Sequence, residues 1–513
     1  MTTHEGIPRD RAVGVIGAGA MGAGIAQIAA QSGHRVHLFD NRMGAADQAK
    51  AKIGETLAGL AAKGRLAQGD AEAAAARIVA VHALGDLVSA ALVVEAIVED
   101  MDVKRKLLRE LEVIVAPEAI LATNTSSLSV TGLAAGMKHP GRIVGMHFFN
   151  PAPVMPLVEV VSGLATDPQV AAAVHATAKA WGKLPVHAAS TPGFIVNRCA
   201  RPFYGEALRL LTERAADPAT IDAVMREAGA FRMGPFELMD LVGHDVNLAV
   251  TKSVWDAYFQ DARFAPSLAQ QELVAAGYLG RKTGRGFYRY GKDVARPEPR
   301  TEGAQPRPAR IRVAGRDPLT DGLRDRWVAA GFDVAAMPAD AAIAAGHFTV
   351  GDALVVPSDG RTATAIAAAS GQPNVLVYDL ALDYATCTRL AVARADTCAD
   401  AAAAACIGAL QAAGIAVSVV DDVAGLVVMR TVAMLANEAA DAVAQGIASA
   451  RDVDLAMRNG VNYPRGPLAW ADAIGLPHVC AVLRHLDAQY GGDRYRTSPL
   501  LARRCAIGAN VGT

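Results

Sequence analysis

Residues 11–40 read RAVGVIGAGAMGAGIAQIAAQSGHRVHLFD. An apolar run suited to a strand meets a glycine-rich turn, a helix-period segment that ends near Gly33, and a second strand-like run that closes on Asp40. This is a βαβ unit of about thirty residues, the span of a dinucleotide-binding fingerprint. Gly17, Gly19 and Gly22 form G-x-G-x-x-G. The first permits the tight turn, the second lets backbone approach a pyrophosphate, and the third lets the helix pack close to the strand. The helix N-terminus offers free N–H groups and partial positive charge to phosphates. A lone glycine pattern is weak, but Asp40 stands where a carboxylate can accept ribose hydroxyls. That carboxylate disfavours a 2′-phosphate, so NAD is expected over NADP, with Arg42 as the counter-indication.

Strand candidates continue at LVVEAIVE, AILATNTS and RIVGMHFF, with helical patterns between them. In DVKRKLLRELEVIV (residues 102–115), the pattern places Val103, Leu107, Leu111 and Ile114 on one face, with cations and Glu110 opposite. Alternating strands and helices predict a parallel, doubly wound sheet through about residue 188. From STPGFIVNR onward the pattern is helical, and GKDVARPEPRTEGAQPRPAR (residues 291–310) has the proline and charge of a linker.

Beyond the linker the sequence repeats. An offset of 232 relates Gly182 to Gly414, Gly193 to Gly425, Glu206 to Glu438, Asp222 to Asp454, Gly234-Pro235 to Gly466-Pro467 and Asp240 to Asp472. The helical module is duplicated. A weaker echo at offset 298 matches Gly17 to Gly315 and Gly33 to Gly331, while Asp317, Thr320 and Pro338 replace Gly19, Gly22 and Asp40. Asp317 would repel a pyrophosphate, so this reduced copy is expected to bind no nucleotide. The fold class is therefore α/β plus all-α. The expected domains are a dinucleotide-binding sheet domain (1–190), a helical domain (191–290), a linker (291–308), a reduced sheet domain (309–420) and a second helical domain (421–513).

The chain of 513 residues, 52% hydrophobic and 20% charged, has the composition of a globular multidomain protein. Its 50 basic and 51 acidic residues give no overall pull toward nucleic acid or anionic lipid. Six cysteines without C-x-x-C spacing read as reduced thiols, no metal site is expected, and MTTHEGIPRDRAV lacks an export pattern, so a cytoplasmic location is expected. The alanine-rich run at residues 401–420 is broken by Gly408 and Gly414 and reads as a helix followed by a strand, not a membrane span.

RIVGMHFFNPAPVMPLVEVV (residues 142–161) sets His147 and Glu159 in two apolar runs joined by a proline-marked turn. Folded together, such strands bring imidazole and carboxylate side by side. The acid then fixes the tautomer and stabilises the imidazolium, leaving the other ring nitrogen to take a proton from a hydroxyl whose carbon gives up a hydride. Sequence physics makes a purely structural buried pair equally reasonable; the adjoining cofactor domain favours chemistry.

In order and at fitting spacings, GAGAMGAGIAQ, VVEAIVED, TNTSSLS, HFFNPAPVMPLVEVV, TPGFIVNR, MGPFELMDLVG and GRKTGRGFY resemble the motifs of the L-3-hydroxyacyl-CoA dehydrogenases over residues 10–290. The remainder resembles the long bacterial members, with a reduced Rossmann-like domain and a second helical domain. The resemblance implies a Rossmann NAD domain followed by a helical domain like the C-terminal domain of 6-phosphogluconate dehydrogenase. It implies an NAD cofactor and a (3S)-3-hydroxyacyl-CoA substrate, as in fatty-acid β-oxidation. By the same resemblance His147 is the base, Glu159 its orienting acid, and Ser126 and Asn197 hold substrate oxygens. Asp40, Glu99, Lys104, Ser126, Asn150 and Lys282 contact NAD, and Thr56 and Lys63 meet coenzyme A. Without the resemblance, Lys63 and Lys104 are equally well solvated helix charges and Ser126 a helix cap.

The second helical copy has Met429 where the first has Asn197, which suits a structural duplicate. Its leading helix and that of the first copy are apolar over much of their circumference, so the two copies are expected to pair within one chain, as short members pair across a dimer. The resemblance leaves the acyl chain open between 3-hydroxybutyryl-CoA and dicarboxylic 3-hydroxyadipyl-CoA (phenylacetate breakdown), with Arg201 or Arg232 as candidates for a terminal carboxylate. The competing expectation is a non-catalytic structural or acyl-CoA-binding relative of the same fold. A hydroxyacid or sugar-nucleotide dehydrogenase would share the first βαβ unit but not HFFNP.

Overall fold

The computed structural model describes residues 6–338 and 346–512; the first residues of the segment read for export and part of the reduced sheet domain lie outside these. The chain divides into two compact units: Met1–Arg198 with Gln445–Val461, and Cys199–Ala444 with Asn462–Thr513.

The first unit is built on an eight-stranded sheet, β1 (Ala12–Ile16), β2 (Val36–Phe39), β3 (Ile78–Ala80), β4 (Ala90–Glu95), β5 (Ile120–Thr123), β6 (Ile143–Phe148), β7 (Leu157–Ser162) and β8 (Leu184–Ala189). Their spatial order is β3-β2-β1-β4-β5-β6-β7-β8. β1 is buried along its whole length, which its unbroken apolar run requires of a central strand covered on both faces. The first six strands are parallel, as the alternating pattern predicts. β7 folds back from the proline-marked turn: it runs antiparallel to β6 and parallel to β8. The short turn through Asn150–Met155 leaves no room for the crossover that parallel strands need. Lys183, itself buried, anchors that turn by donating to the carbonyls of Ala152 (2.6 Å) and Met155 (2.9 Å).

The helix Met101–Ile114 corrects one expectation. Its buried residues are Lys104, Leu108 and Leu111, while Val103 is 45% exposed. The Lys104 ammonium lies 2.8 Å from the fully buried Glu95, so charge pairing turns the helix onto a face that hydrophobic periodicity alone does not choose. Part of the second helical repeat also belongs here. The helix Ala450–Gly460 lies on β7 and β8, and a Cβ at Gly460 would come within 2.7 Å of Leu157 Cδ2.

The second unit holds a seven-stranded sheet of β9 (Arg310–Ala314), β10 (Asp333–Met337), β11 (Phe348–Val350), β12 (Ala353–Pro357), β13 (Val375–Tyr378), β14 (Arg389–Arg394) and β15 (Ala416–Val419), ordered β10-β9-β11-β12-β13-β14-β15. β9 begins 298 residues after β1, where the weak echo placed it. β13, β14 and β15 begin 232 residues after β6, β7 and β8. The strong duplication therefore extends back past Gly182 into strands whose sequences no longer show it. The run at 401–420 is the helix Asp400–Ala412 followed by β15, and among the described residues no helix is long and apolar enough to cross a membrane. The linker residues are extended but tied down: Glu302 N–H donates to Val417 O and Ser418 Oγ to Arg300 O.

Also in this unit, the leading helices of the two helical copies, Arg201–Thr212 and Val428–Ala444, pack on each other. Buried charges exchange reciprocally between the copies. Glu206 receives Arg430 (2.9 Å) and Arg494 (2.7 Å), and its duplicate Glu438 receives Arg263 (3.3 Å). Burial would raise the Glu206 pKa, but Arg494 and Arg430 outweigh it and hold the carboxyl down at about 2. Removing one member of such a buried cluster leaves an uncompensated charge, a cost of about 3–5 kcal/mol.

Candidate active site

The site lies at the carboxyl ends of the first unit's strands, where open α/β sheets bind ligands. Gly17, just after β1, has φ +99° and a Cβ there would come 2.5 Å from Ala96 O; at Gly22 it would come 1.7 Å from Gly17 O. Neither position accepts a side chain, whereas space around Gly19 is open. A cavity of about 600 Å³ runs from Gly17 and Gly19 past Asp40, Arg42, Val98 and Leu107. Residues of this turn and cavity suit a dinucleotide: bare backbone at the phosphate position, an acid at the ribose position, apolar walls beyond.

Asp40 is held from several directions. Its Oδ2 accepts Ala18 N–H at 2.7 Å, which ties the glycine turn to the end of β2. Arg42 grips both oxygens through Nε (3.0 Å) and Nη2 (3.1 Å). Those bonds hold the Asp40 carboxyl at about 2, well below its usual range. The Arg42 side chain is 70% exposed, so water competes for it, and ribose hydroxyls can take its place on the carboxylate.

A second cavity, of about 370 Å³, shares Ala96 and Ile97 with the first and is lined by Met21, Glu99, Ser126, His147, Asn150 and Asn197 among others. His147 on β6 stands directly opposite Glu159 on β7. Its Nδ1 lies 2.7 Å from Glu159 Oε2. Glu159 is fully buried and its Oε1 accepts the N–H groups of Ile195 (2.9 Å) and Val196 (3.0 Å). An ionised carboxylate accepts at both oxygens and donates at neither. Against it Nδ1 must carry the hydrogen, so Nε2 is the basic nitrogen. The rings of Phe149 and Phe194 flank the imidazole, with centroids 4.6 and 5.8 Å away.

Two further motifs meet at Glu99. Its Oε1 accepts Thr125 Oγ1 (2.6 Å), Ser126 N–H (2.9 Å) and Ser127 N–H (3.2 Å), while Lys104 Nζ lies 3.4 Å from Oε2. Burial would raise the Glu99 pKa, but the Thr125 hydroxyl and Lys104 outweigh it and lower it. The Lys104 ammonium, 1% exposed, is engaged by Glu95 and Glu99, so within this site it orients Glu99. Asn197 Nδ2 sits 3.5 Å from Ser126 O, which brings the NTSS and IVNR segments together.

The structure thus gathers Gly17, Gly19, Asp40, Glu99, Ser126, His147, Asn150, Glu159 and Asn197 around two joined cavities. Thr56 and Lys63 lie apart from both, exposed along the helix Ala45–Ala62 and at its end. Lys282 belongs to the second unit, where Nζ meets Asp245 at 2.6 and 2.7 Å. Among residues that sequence reasoning missed, Asn124 accepts Phe148 N–H (2.9 Å) and fixes the strand end beside His147. The buried Glu95, hydrogen-bonded to Thr123 and Lys104, supports Glu99 from behind. The signal was a lysine leading the stripe Lys104, Leu108, Leu111, Val115.

The reduced copy keeps the frame with different side chains. At offset 232, Asp379 stands for His147, Ala391 for Glu159 and Met429 for Asn197. Asp379 pairs across to Ala391 and accepts the N–H groups of Val427 (3.0 Å), Val428 (2.7 Å) and Met429 (2.9 Å), so one acid caps the turn that Glu159 caps in the first copy. At the degenerate glycine turn, Asp317, which stands for Gly19 at offset 298, accepts Leu319 N–H at Oδ1 (2.8 Å).

The sequence matches the family model described as 3-hydroxyacyl-CoA dehydrogenase, NAD binding domain, over residues 12–191. It matches 3-hydroxyacyl-CoA dehydrogenase, C-terminal domain, twice, over 193–290 and 425–511. The 3-hydroxybutyryl-CoA dehydrogenase reduced Rossmann-fold domain covers 355–423. It is 42% identical to 3-hydroxyadipyl-CoA dehydrogenase of Escherichia coli over 96% of this chain and 97% of that one. It is also 42% identical to a probable 3-hydroxybutyryl-CoA dehydrogenase of Deinococcus radiodurans, over 54% of this chain and 99% of the relative. A crystal structure described as 3-hydroxybutyryl-CoA dehydrogenase from Escherichia coli superposes with TM-score 0.88 at 40% identity, covering 97% of this chain and 99% of the other.

Proposed function

The chain belongs to the 3-hydroxyacyl-CoA dehydrogenase family, and from that premise we propose how its residues carry NAD-dependent, reversible oxidation of a (3S)-3-hydroxyacyl-CoA to the 3-oxoacyl-CoA. The observation that carries the reading is the 2.7 Å His147–Glu159 pair at the wall of a cavity shared with Ser126 and Asn197. His147 Nε2 removes the proton from the C3 hydroxyl. Glu159, fixed by two backbone N–H groups, keeps Nδ1 protonated and stabilises the imidazolium. When bound, NAD supplies the acceptor for the hydride that leaves C3. Ser126 and Asn197 donate to the C3 oxygen and the thioester carbonyl, where charge changes during the reaction. In the reverse direction the imidazolium returns the proton.

Gly17, Gly19 and Gly22 with their helix N-terminus receive the pyrophosphate, and Asp40 the ribose hydroxyls. Glu99, oriented by Lys104, joins Ser126 and Asn150 on the remainder of NAD. Thr56 and Lys63 receive the coenzyme A portion; their exposure along one helix supports this. The six free cysteines support a cytoplasmic setting. The paired helical copies do within one chain what two subunits do in short members, a reading supported by the reciprocal Glu206 and Glu438 clusters. The names of the relatives support a short or dicarboxylic acyl chain, and turnover on 3-hydroxybutyryl-CoA against 3-hydroxyadipyl-CoA decides between them.

The test is NADH absorbance with acetoacetyl-CoA. His147→Ala is expected to lose about 10²–10⁴ in rate; near-normal turnover by that variant would contradict the assignment, and inactivity of the wild-type chain would favour a non-catalytic relative of the fold.

A further inference from the structure

The second unit contains a cavity of about 250 Å³ beside the helix Arg201–Thr212, lined by Arg201, Tyr204, Arg209, Glu213 and Arg263 among others. The charges around it do not balance. Glu213 is committed to Arg430, which reaches both of its oxygens at 2.8 Å. Arg263 spends its terminal nitrogens on Glu438, Asp441 and the Arg496 carbonyl, and Glu206 takes up Arg430 and Arg494. Counting Arg201, Arg209, Arg263, Arg430 and Arg494 against Glu206, Glu213, Glu438 and Asp441 leaves five cations for four acids.

Arg209 lines the cavity without a share of these acids: among the described residues its side chain makes no ion pair and no hydrogen bond. Burial and the neighbouring Arg494 push its pKa down against the pull of Glu206. A second donor is unused as well. Arg263 is 4% exposed, and its Nε is buried without a partner among the described residues. Orphaned buried donors cost about 1–3 kcal/mol each, so such groups normally find a ligand or water. The duplicate offers no such vacancy, since Arg209 corresponds at offset 232 to Asp441, an acid already neutralised by Arg263.

We propose that this cavity is an anion site, separate from the dehydrogenase chemistry, that binds one small oxyanion between Arg209 and Arg263. Its volume of about 250 Å³ has room for a phosphate or a four-carbon dicarboxylate.

Isothermal titration tests this on the full chain saturated with NADH, so that the glycine turn is already filled. Inorganic phosphate is the probe in one arm and succinate in the other. One saturable site per chain is expected with one of the probes. Affinity should fall about tenfold or more in Arg209→Gln, the worth of a charge-assisted hydrogen bond, and persist in Arg209→Lys, with acetoacetyl-CoA turnover unchanged in both. Lack of saturable binding by the wild-type chain, or equal affinity in Arg209→Gln, overturns the proposal. A wild-type crystal grown with selenate gives an independent reading: an anomalous peak at the Arg209 and Arg263 guanidiniums supports it, and peaks only elsewhere overturn it.

Discussion

Glu159→Gln isolates what the buried acid does, because the substitution keeps shape and removes only charge. The glutamine has two orientations. With its oxygen toward Ile195 and Val196 it keeps both backbone hydrogen bonds, and its NH₂ then faces His147 Nδ1. An amide donor there turns Nδ1 into an acceptor and moves the ring proton to Nε2, the nitrogen that must be free to take the substrate proton. Flipping the amide restores the productive tautomer but sets NH₂ against two backbone donors. Two buried unsatisfied groups cost about 1–3 kcal/mol each, so the productive form falls to between about one part in thirty and one in twenty-five thousand. Adding the lost stabilisation of the imidazolium, kcat for acetoacetyl-CoA reduction, followed by NADH absorbance, should drop about 10²–10⁴. KM and the thermal midpoint should change little, since packing and both backbone bonds survive. A variant within tenfold of wild-type kcat would refute the tautomer argument; a collapse of stability with preserved specific activity would assign Glu159 to folding instead.

Asp40→Ser frees Arg42 and removes the acid at the ribose position, so kcat/KM should fall about ten- to hundredfold with NAD while the NADP-to-NAD ratio rises; an unchanged ratio counts against Asp40 as the selector. Titration of NAD is expected to give one site per chain, because Asp317 stands for Gly19 in the second glycine turn and its charge repels a pyrophosphate, and two sites would contradict this. Burial pushes Asp379 up to about 6 against the pull of its backbone donors. A carboxyl whose folded pKa lies above its unfolded value of about 3.9 contributes stability that is full below about pH 4 and lost as pH rises through about 6, here about 3 kcal/mol. Urea midpoints at about pH 4.5 and about pH 7 should therefore differ less in Asp379→Asn than in the wild-type chain; an equal or larger difference rules out this residue as the source.

Much of the site could be read along the chain because its parts lie at loop-sized spacings. The glycine turn and Asp40 belong to one βαβ unit, and His147 and Glu159 to one hairpin, so local geometry nearly suffices to join them. The buried stripe on the helix Met101–Ile114 does not follow from period, which weighs side chains by hydrophobicity alone, because Lys104 is buried for its charge. Glu95, the group that draws it in, lies on another element and is visible only once both are folded. The older half of the duplication escaped for a different reason. β13 and β14 need only a pattern of burial to hold their frame, so the register is kept while the residues differ, with Asp379 in the place of His147.

By itself, then, the sequence determined the sheet-and-helix order, the glycine turn, the pairing of His147 with Glu159 and the repeated helical module, all set by short-range spacing and side-chain chemistry. Tertiary structure alone decided which buried charges meet: Lys104 with Glu95 and Glu99, Glu159 with the Ile195 and Val196 amides, Glu206 and Glu438 with arginines of the opposite copy, and Arg209 with none. Desolvation makes each of those encounters either strongly favourable or strongly costly, and which of the two it is depends on distances in space that no interval along the chain encodes.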